Sequence, residues 1–438
     1  MSYNYGMLDI RFIRENPELV AEKSKQKGYE VDIAKLLQLD KRRREMLSDI
    51  ETVRAQRNEL AEQAKGQPPS PEAVEKGKHL KNHLTDCEAR LKSVEEELSK
   101  LLKAVPNMPA NDVPVGTSEA ENVATKEWGE KTQFDFEPKT HWQIAETRGL
   151  IDKERAAKVA GSRFAYIKGG LVKMQFAIMQ FVAETLTNEE TVKKIIQDAE
   201  LDVVSKPFVP VLPPAIVNSK AYEVTSRLDA KETTYKLADD ELWLNASAEH
   251  SLCNMYMNEI LPAEMLPIRY IGYSTSFRRE AGTYGKDTEG IIRMHQFDKL
   301  EMEIFSVPES GLGEHLLLIA VQEYLMQQLN LPYRVLNKCT ADIGKANARG
   351  VDIEAWLPGD KRYLETHTAD YMTDYQARDL QTRTKNGGGK TVLVHTNDAT
   401  AFAMGRTMVA IIENYQTAEG KIQIPQVLRT YMHGQNII

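Results

Sequence analysis

Charged and aromatic residues flank a glycine-containing segment between residues 271 and 305. Arg278 and Glu280 stand two positions apart at the end of the first apolar run, so on a strand they would share a face. An arginine fork suits a phosphate or a carboxylate, and a nearby glutamate can accept a hydrogen bond from an amine. On the second run the same alternation aligns four side chains: His295, Phe297, Lys299 and Glu301. Together these residues could hold a purine, an anion and an ammonium group.

The two runs are predicted to be strands joined by a long loop. They extend over Ile271–Glu280 and Met294–Phe305, and the polar segment between them carries Gly282, Gly285 and Gly290. A hairpin with solvated surface charges is the competing interpretation, because arginine and glutamate are mostly exposed in proteins.

Length, charge and cysteine content restrict the class of protein. A chain of 438 residues allows roughly two or three domains, and its net charge of −8 argues against a general attraction to nucleic acid, so DNA is not expected as a partner. The three cysteines are far apart and show no metal-ligand spacing, which favours a reducing compartment. No apolar run approaches the roughly 20 residues of a membrane span, and the first residues lack a signal-peptide pattern. We therefore expect a cytoplasmic protein without a membrane partner.

Heptad repeats predict an antiparallel helical hairpin over about residues 37–104. The first seam consists of Leu39, Arg43, Met46, Ile50, Val53, Arg57, Leu60 and Ala64. The second seam consists of Leu80, Leu84, Cys87, Leu91, Val94, Leu98 and Leu101. Gly66–Pro71 separates the two helices, and basic residues such as Lys41–Arg44 are mixed with acids on their surface. A dimerisation coiled coil and an arm that binds a phosphate backbone both fit this pattern.

Prolines at positions 106, 109 and 114 end the hairpin. We therefore assign residues 1–112 to an N-terminal helical arm and residues 113–438 to a second domain of mixed α and β structure.

The segment from Phe277 to Phe305 resembles motif 2 of the class II aminoacyl-tRNA synthetases, in the form found in seryl-tRNA synthetases. The shared pattern is Phe277-Arg278-x-Glu280, a flexible loop, Arg293-x-His295-Gln296-Phe297, and Glu301 downstream. Two further segments resemble the other class II motifs. Phe208–Val217 is similar to motif 1, with a helical stretch at residues 188–200 before it, and the segment from His395 to Gln416 is similar to motif 3 around Arg406.

The resemblance implies an α+β fold: an antiparallel class II synthetase sheet of six to seven strands flanked by helices, with an N-terminal antiparallel α-helical coiled-coil arm. It implies an enzyme that activates L-serine with ATP and Mg²⁺ and transfers it to tRNA(Ser). Charging of tRNA(Sec) is left open. It also implies that the arm grips the tRNA and that the motif 1 region forms a homodimer.

The resemblance also implies roles for individual residues. The expected ATP-binding set is Arg278, Arg279, Glu280, Met294, Phe297, Glu365, Thr366, His367, Thr368 and Arg406. The expected serine-binding set is Ser247, Ala248, Glu249, Arg278, Glu301, Asp398 and Thr400. The catalytic group would be Arg278, Glu301, Glu365 and Arg406, with Glu365 as Mg²⁺ ligand and Glu301 as a candidate second ligand.

The chain departs from the family pattern at several of these positions. Ser247 replaces the threonine of Thr-x-Glu, His367 and Thr368 replace a serine pair, and Asp398 replaces an asparagine. We expect His367 to be a polar wall residue, because adenylate formation needs no catalytic base. A paralogue with another amino-acid substrate and a non-catalytic tRNA-binding homologue are the two alternatives. The glycine run at residues 387–389 is predicted to be a turn between strands rather than a phosphate loop.

Overall fold

The computed structural model describes residues 8–63, 65–66, 70–225, 234–280 and 289–438. The chain divides into two compact units, residues 1–108 and 109–438. Ala64 of the predicted seam, residues 67–69 of the predicted turn, and Gly282 and Gly285 of the predicted loop lie outside the described residues.

The first unit is helical: α1 (Ile10–Glu15), α2 (Pro17–Gln26), α3 (Ile33–Gln63) and α4 (Pro71–Ala104). The long helices α3 and α4 are antiparallel, because Leu36 and Leu39 near the start of α3 pack with Leu98 near the end of α4. Farther along the pair, Ile50 packs with Leu84. The predicted coiled-coil hairpin is therefore confirmed.

Ion pairs join the two long helices, and one of them involves Arg43 of the predicted seam. Arg43 Nε lies 3.0 Å from Glu95 Oε1, with both side chains about one-fifth exposed. An exposed pair joins Arg54 and Glu88 at 2.8 Å. Exposed pairs contribute little to stability, so the leucine, isoleucine and valine contacts carry most of the packing energy.

The helices of the second unit are α5 (His141–Thr147), α6 (Lys153–Ala160), α7 (Gly170–Thr187), α8 (Glu189–Asp198), α9 (Ser219–Thr225), α10 (Glu249–Leu252), α11 (Gly311–Gln328), α12 (Tyr375–Leu380) and α13 (Met404–Asn414). The strands are β1 (Val123–Trp128), β2 (Ile151–Asp152), β3 (Tyr166–Ile167), β4 (Val209–Val211), β5 (Ile216–Asn218), β6 (Leu242–Leu244), β7 (Ile260–Leu261), β8 (Ile268–Phe277), β9 (Gln296–Ser306), β10 (Tyr333–Asn337), β11 (Arg349–Leu357), β12 (Arg362–Thr373), β13 (Arg383–Lys385), β14 (Thr391–Leu393) and β15 (His395–Ala403). In the part of the chain that the structure describes, no helix has the length and apolar composition of a membrane span.

One large sheet organises the second unit. Its strand order is β1-β10-β11-β12-β15-β9-β8-β4, and all neighbours are antiparallel except the pair β4 and β8. The antiparallel sheet flanked by helices is thus confirmed, but it has eight strands where six to seven were expected. The additional pairing comes at the edges, where the exposed strand β1 and the three-residue strand β4 extend the ladder.

Alternation along β9 separates a core face from a polar face of this sheet. Met302 and Ile304 belong to the main hydrophobic core, which also takes residues from α7, α11 and α13. Glu301 and Glu303 alternate with them and point to the opposite face. That opposite face carries the polar residues described below.

Two smaller predictions also hold. Residues 189–198 form α8, which buries Val192, Ile195 and Ile196 and begins with an Asn188 side-chain cap. The glycine run at residues 387–389 joins the antiparallel strands β13 and β14.

Candidate active site

A cleft of about 350 Å³ lies on the polar face of the sheet and collects residues from three separate segments of the chain. Its lining consists of Arg278, Glu280, Ile291, Ile292, Arg293, Met294, Phe297, Lys299, Glu365, Thr366, Thr368, Thr400, Ala403, Gly405 and Arg406. Strand β8 leads into the first of these residues, β12 and β15 run side by side beneath the middle of the cleft, and α13 begins at its rim. Most of the predicted nucleotide-binding residues are therefore brought together.

Arg278 and Glu280 reach this cleft by a route that the sequence did not predict. Strand β8 ends at Phe277, and Glu280 has a positive φ of 47°, so the two residues do not simply alternate along a strand. Arg278 N donates to His295 O, and the His295 ring nitrogen Nδ1 lies 2.9 Å from Arg278 O, which together hold the chain after the strand.

Two contacts with neighbouring groups hold the Arg278 guanidinium in place. Its Nε donates to Ala246 O at 3.2 Å, and its central carbon lies 5.2 Å from the centre of the Phe297 ring. A guanidinium over an aromatic face keeps its outer N–H groups available for an anion. Arg278 and Phe297 thus offer a preformed anion site beside an aromatic surface.

Arg406 and Glu365 form the opposite rim. Arg406 lies in the first turn of α13, and its Nη1 is 2.9 Å from both the backbone oxygen and Oε1 of Glu365. Desolvation opposes ionisation of Glu365, but the charges of Arg406 and Lys338 outweigh it, so the pKa of Glu365 lies below its usual value. Its side chain is 47% exposed, so an ionised carboxylate is presented to the cleft.

Glu301 lies beneath the polar floor and is buried, with 1% exposure. Lys299 contacts its carboxylate, and both residues project from β9 on the same face. Thr400 stands opposite Glu301 in the register of β15 and β9 and lines the cleft. The Gln322 side chain bonds to the backbone oxygens of Thr400 and Thr368, each at 2.8 Å, and so ties together the two strands that carry these hydroxyls.

Ser247, Ala248 and Glu249 are all buried, and none of the three belongs to the cleft lining. They follow Ala246, whose carbonyl oxygen receives the Arg278 bond. Glu249 begins the short helix α10, and Gln376 Nε2 donates to its Oε1 at 3.4 Å. These three residues therefore lie behind Arg278.

His367 is not brought to the cleft, contrary to the expectation of a polar wall residue. The register between β11 and β12 shifts so that His367 faces Ile353 while Glu365 faces Glu354, which leaves Thr366 as an extra residue. The bulge turns His367 into the core, where its ring lies 5.2 Å from the ring of Phe402. Burial lowers the pKa of His367 to about 3.

Two further residues of the predicted sets, Arg279 and Asp398, do not line the cleft either. Arg279 lies over the ring of Tyr235, with its central carbon 6.0 Å from the ring centre. Asp398 is buried and stands in register between Asp370 and Glu303, so three acidic residues occupy adjacent strands.

Several cleft residues were missed, and the sequence carried a signal for only two of them, Arg293 and Lys299. Arg293 occupies the first position of the Arg-x-His-Gln-Phe pattern, and its Nη1 lies 3.5 Å from Glu280 Oε2. Lys299 shared the predicted face of β9 with Phe297. Ile291, Ile292 and Gly405 carry no chemical signature, so only the fold identifies them.

A second cavity of about 500 Å³ adjoins the first and shares Ile292, Arg293, Glu365 and Arg406 with it. Asp352 lies there, 3.7 Å from Lys338 Nζ. Burial raises the pKa of Asp352 to about 8, even though Lys338 acts in the other direction. This cavity is rich in charges of both signs.

Comparison with known proteins identifies the arrangement. Residues 7–109 match the seryl-tRNA synthetase N-terminal domain, and residues 233–415 match the tRNA synthetase class II core domain (G, H, P, S and T). A serine–tRNA ligase of Symbiobacterium thermophilum is 40% identical over 98% of this chain and 100% of its own length. The chain belongs to the seryl-tRNA synthetase family.

Solved members of this family have the same fold. The seryl-tRNA synthetase of Pyrococcus horikoshii, crystallised with ATP, superposes with a TM-score of 0.88 at 35% identity and covers 98% of this chain and 99% of its own. The cytoplasmic serine–tRNA ligase of Naegleria fowleri, in complex with AMP, gives a TM-score of 0.84 at 26% identity, with 98% of each chain covered. The motifs found in the sequence thus lie within a full-length family match.

Proposed function

We propose that this chain activates L-serine with ATP and transfers the seryl group to tRNA(Ser). The observation that carries the proposal is the convergence of Arg278, Phe297, Glu365 and Arg406 on one cleft above the buried Glu301. Two arginines and an aromatic ring suit a nucleotide, and a buried carboxylate suits a small polar substrate. The full-length family relationship supports the same assignment.

The nucleotide would occupy the wider part of the cleft. Phe297 would stack on the adenine, with Glu280 and Met294 beside the base. Arg278 would bind the α-phosphate and the serine carboxylate, and Arg406 the γ-phosphate. Thr366 and Thr368 would contribute the polar wall between these positions.

Glu365 fits a Mg²⁺ ligand, because its ionised carboxylate is half exposed at the cleft. Glu301 fits this role less well, since it is buried and contacts Lys299. No group of three or more His, Cys, Asp or Glu side chains among the described residues is arranged to hold a metal by itself. Mg²⁺ at ATP sites is commonly held by one or two carboxylates together with phosphate oxygens and water, and there it offsets phosphate charge.

The serine would lie between Arg278 and the floor of the cleft. Glu249 would help to neutralise the ammonium group, with Ser247 and Ala248 shaping that wall, while Glu301 and Thr400 would bind the hydroxyl. An alanine substrate would forgo the hydrogen bonds to these groups, and a bond to a charged carboxylate is worth about 1.5–3 kcal/mol. Asp398 stands beneath this position, and it is the reason to test other amino acids.

The chemistry follows from this placement. The serine carboxylate oxygen attacks the α-phosphorus, the bond to the bridging oxygen breaks, and pyrophosphate leaves with both electrons of that bond. A ribose hydroxyl at the 3′ end of the tRNA then attacks the seryl carbonyl carbon, and AMP leaves. Arg278 and Arg406 would stabilise the phosphate charge that develops, so orientation and electrostatics supply the acceleration rather than a side-chain base.

The helical arm would bind the tRNA. Helices α3 and α4 contain 31 and 34 residues, and at about 1.5 Å per residue each is long enough to follow an RNA helix. Exposed basic residues such as Lys41 and Arg54 would contact the phosphate backbone.

A homodimer through the motif 1 region is part of the proposal. Strand β4 lies at the sheet edge, and Val209, Leu212 and Ile216 expose apolar side chains there, with Leu212 at 83%. An exposed apolar edge is a common protein-contact surface. Sedimentation velocity of Leu212→Glu tests this: we expect a shift from dimer to monomer, and an unchanged dimer would contradict the interface. The three cysteines, all within the described residues, form no disulfide bond.

Calorimetry with non-hydrolysable analogues of the aminoacyl-adenylates tests the proposed activity. We expect the seryl analogue to bind at least a hundredfold more tightly than serine alone, because it spans both halves of the cleft. We expect the alanyl analogue to bind about tenfold more weakly than the seryl one. Equal binding of the two, or tighter binding of a different aminoacyl analogue, would point to the paralogue with altered specificity.

A further inference from the structure

His141 is the first residue of α5, and its side chain is buried with one edge of the ring held by a hydrogen bond. Its Nδ1 lies 3.1 Å from Glu413 Oε1, and its backbone N–H donates to the same oxygen at 3.0 Å. A carboxylate only accepts hydrogen bonds, so Nδ1 is the donor. The ring is therefore held by Glu413 at one edge.

Glu413 is itself immobilised near the end of α13. It is fully buried, and its other oxygen accepts from the backbone N–H groups of Gly359 and Asp360 at 3.0 and 3.3 Å. Because the carboxylate joins α13 to the turn between β11 and β12, neither it nor the His141 ring can move without breaking buried hydrogen bonds.

The free edge of the ring meets Gly290. A Cβ at this glycine would lie 1.9 Å from His141 Nε2, and the residue has a positive φ of 60°. Nε2 has no hydrogen-bond partner among the described residues. The backbone of Gly290 thus lies directly against the ring, and no larger residue fits there without displacing it.

Gly290 begins a short segment that forms one wall of the cleft, residues 290–293. Ile291, Ile292 and Arg293 of this segment all line the cleft. On its other side, a Cβ at Gly405 would lie 2.9 Å from Ile291 O, so the segment also lies close to the first turn of α13. The segment is therefore confined between the His141 ring and the helix turn that carries Arg406.

We propose that His141, oriented by Glu413, is a positioning residue that sets the wall 290–293 at the distance required by the nucleotide. The proposal rests on the proposed function of the cleft as the ATP site. His141 touches no reacting atom, so its effect passes through the backbone of Gly290 to Ile291, Ile292 and Arg293.

A double-mutant cycle in ATP–pyrophosphate exchange tests this. We expect Gly290→Ala to raise the KM for ATP at least tenfold while the KM for serine changes less than twofold, because the added methyl group pushes the wall away from the ring. In a His141→Ala background, which removes the obstacle, the same change should have an effect at least fivefold smaller. Equal effects in both backgrounds would overturn the proposal.

Gly420→Ala is the matched control, since Gly420 also has a positive φ of 71° but nothing lies within 4 Å of its Cβ position. It should show the strain of an alanine in this conformation without any change in the KM for ATP. If Gly290→Ala does not fold, the His141→Ala variant alone decides. A fivefold rise in its KM for ATP with a constant KM for serine supports the proposal, and an unchanged ratio of the KM for ATP to the KM for serine contradicts it. Lack of exchange by the wild-type enzyme would instead count against the proposed function.

Discussion

Replacement of Gln322 by methionine removes the bridge between the two strands that carry Thr368 and Thr400. Gln322 projects from α11, is fully buried, and donates to both backbone oxygens at 2.8 Å. The direct pairing of β12 and β15 extends only to Ala369 and Ala399, so beyond that pair this side chain ties the strands together. The methionine side chain is about as long as that of glutamine but has no hydrogen-bond donor, so the substitution removes hydrogen bonds and changes the side-chain volume little.

The size of the effect follows from the two carbonyl groups left without a donor. Each buried unsatisfied group costs about 1–3 kcal/mol, so we expect a stability loss of about 2–6 kcal/mol. A domain whose stability lies in the upper part of the usual range of about 5–15 kcal/mol would still fold. If Thr400 moves out of reach of the serine hydroxyl, one neutral hydrogen bond worth about 0.5–1.5 kcal/mol is lost, which corresponds to a fall of about two- to twelvefold in kcat/KM for serine.

The assay is ATP–pyrophosphate exchange with serine and ATP varied separately. We expect Gln322→Met to raise the KM for serine about two- to twelvefold and to raise the KM for ATP by a smaller factor. Gln327→Met on the same helix is the control, because Gln327 Nε2 donates to Tyr333 OH, a contact of the core rather than of the cleft. A variant with a lower melting temperature and an unchanged KM for serine would refute the reasoning, since the bridge would then serve stability alone.

Three further predictions follow from the geometry. In the exchange assay, Arg406→Leu should lower kcat/KM for ATP about 10²- to 10³-fold, because it removes charge-assisted hydrogen bonds worth about 1.5–3 kcal/mol each. Arg155→Leu, a change on the surface, should leave kcat/KM for ATP unchanged in that assay. Burial lowers the pKa of His315 from 6.5 to about 3, so between these two pH values only the unfolded chain binds a proton at this ring, and the free energy of unfolding should fall by on the order of 2 kcal/mol at pH 5. His315→Phe should therefore flatten the fall of melting temperature between pH 7.5 and 5. An unchanged fall in the variant would show that another group causes it. Arg54→Glu on the arm should weaken tRNA charging, most at low salt, and leave pyrophosphate exchange intact; an equal loss in both reactions would contradict an arm that binds only tRNA.

The sequence was sufficient for those features in which spacing reflects local geometry. Heptad spacing predicted the pairing of α3 and α4, because apolar residues at this period can be buried only along one helix face. The resemblance to motifs 2 and 3 of the class II synthetases predicted that Arg278, Phe297 and Arg406 meet at one site, and all three line the cleft.

The remaining errors have a common physical origin in strand irregularity. The family resemblance placed His367 beside the nucleotide, whereas the extra residue Thr366 reverses the facing of the side chains that follow it. Strand alternation kept Arg278 and Glu280 on a strand that in fact ends at Phe277. The contact between His141 and Gly290 joins residues 149 positions apart, and no local pattern predicts it.

The most direct test of serine activation in this cleft is ATP–pyrophosphate exchange by the wild-type enzyme with serine, threonine, alanine, glycine and cysteine, each supplied alone with Mg²⁺. We predict serine-dependent exchange at a kcat/KM at least tenfold above that with any other amino acid on the panel, because the proposed hydrogen bonds from Glu301 and Thr400 to the serine hydroxyl favour serine over the other amino acids. A preference for another amino acid would contradict the serine assignment and direct attention to Asp398. No exchange with any of the five would contradict the catalytic account as a whole.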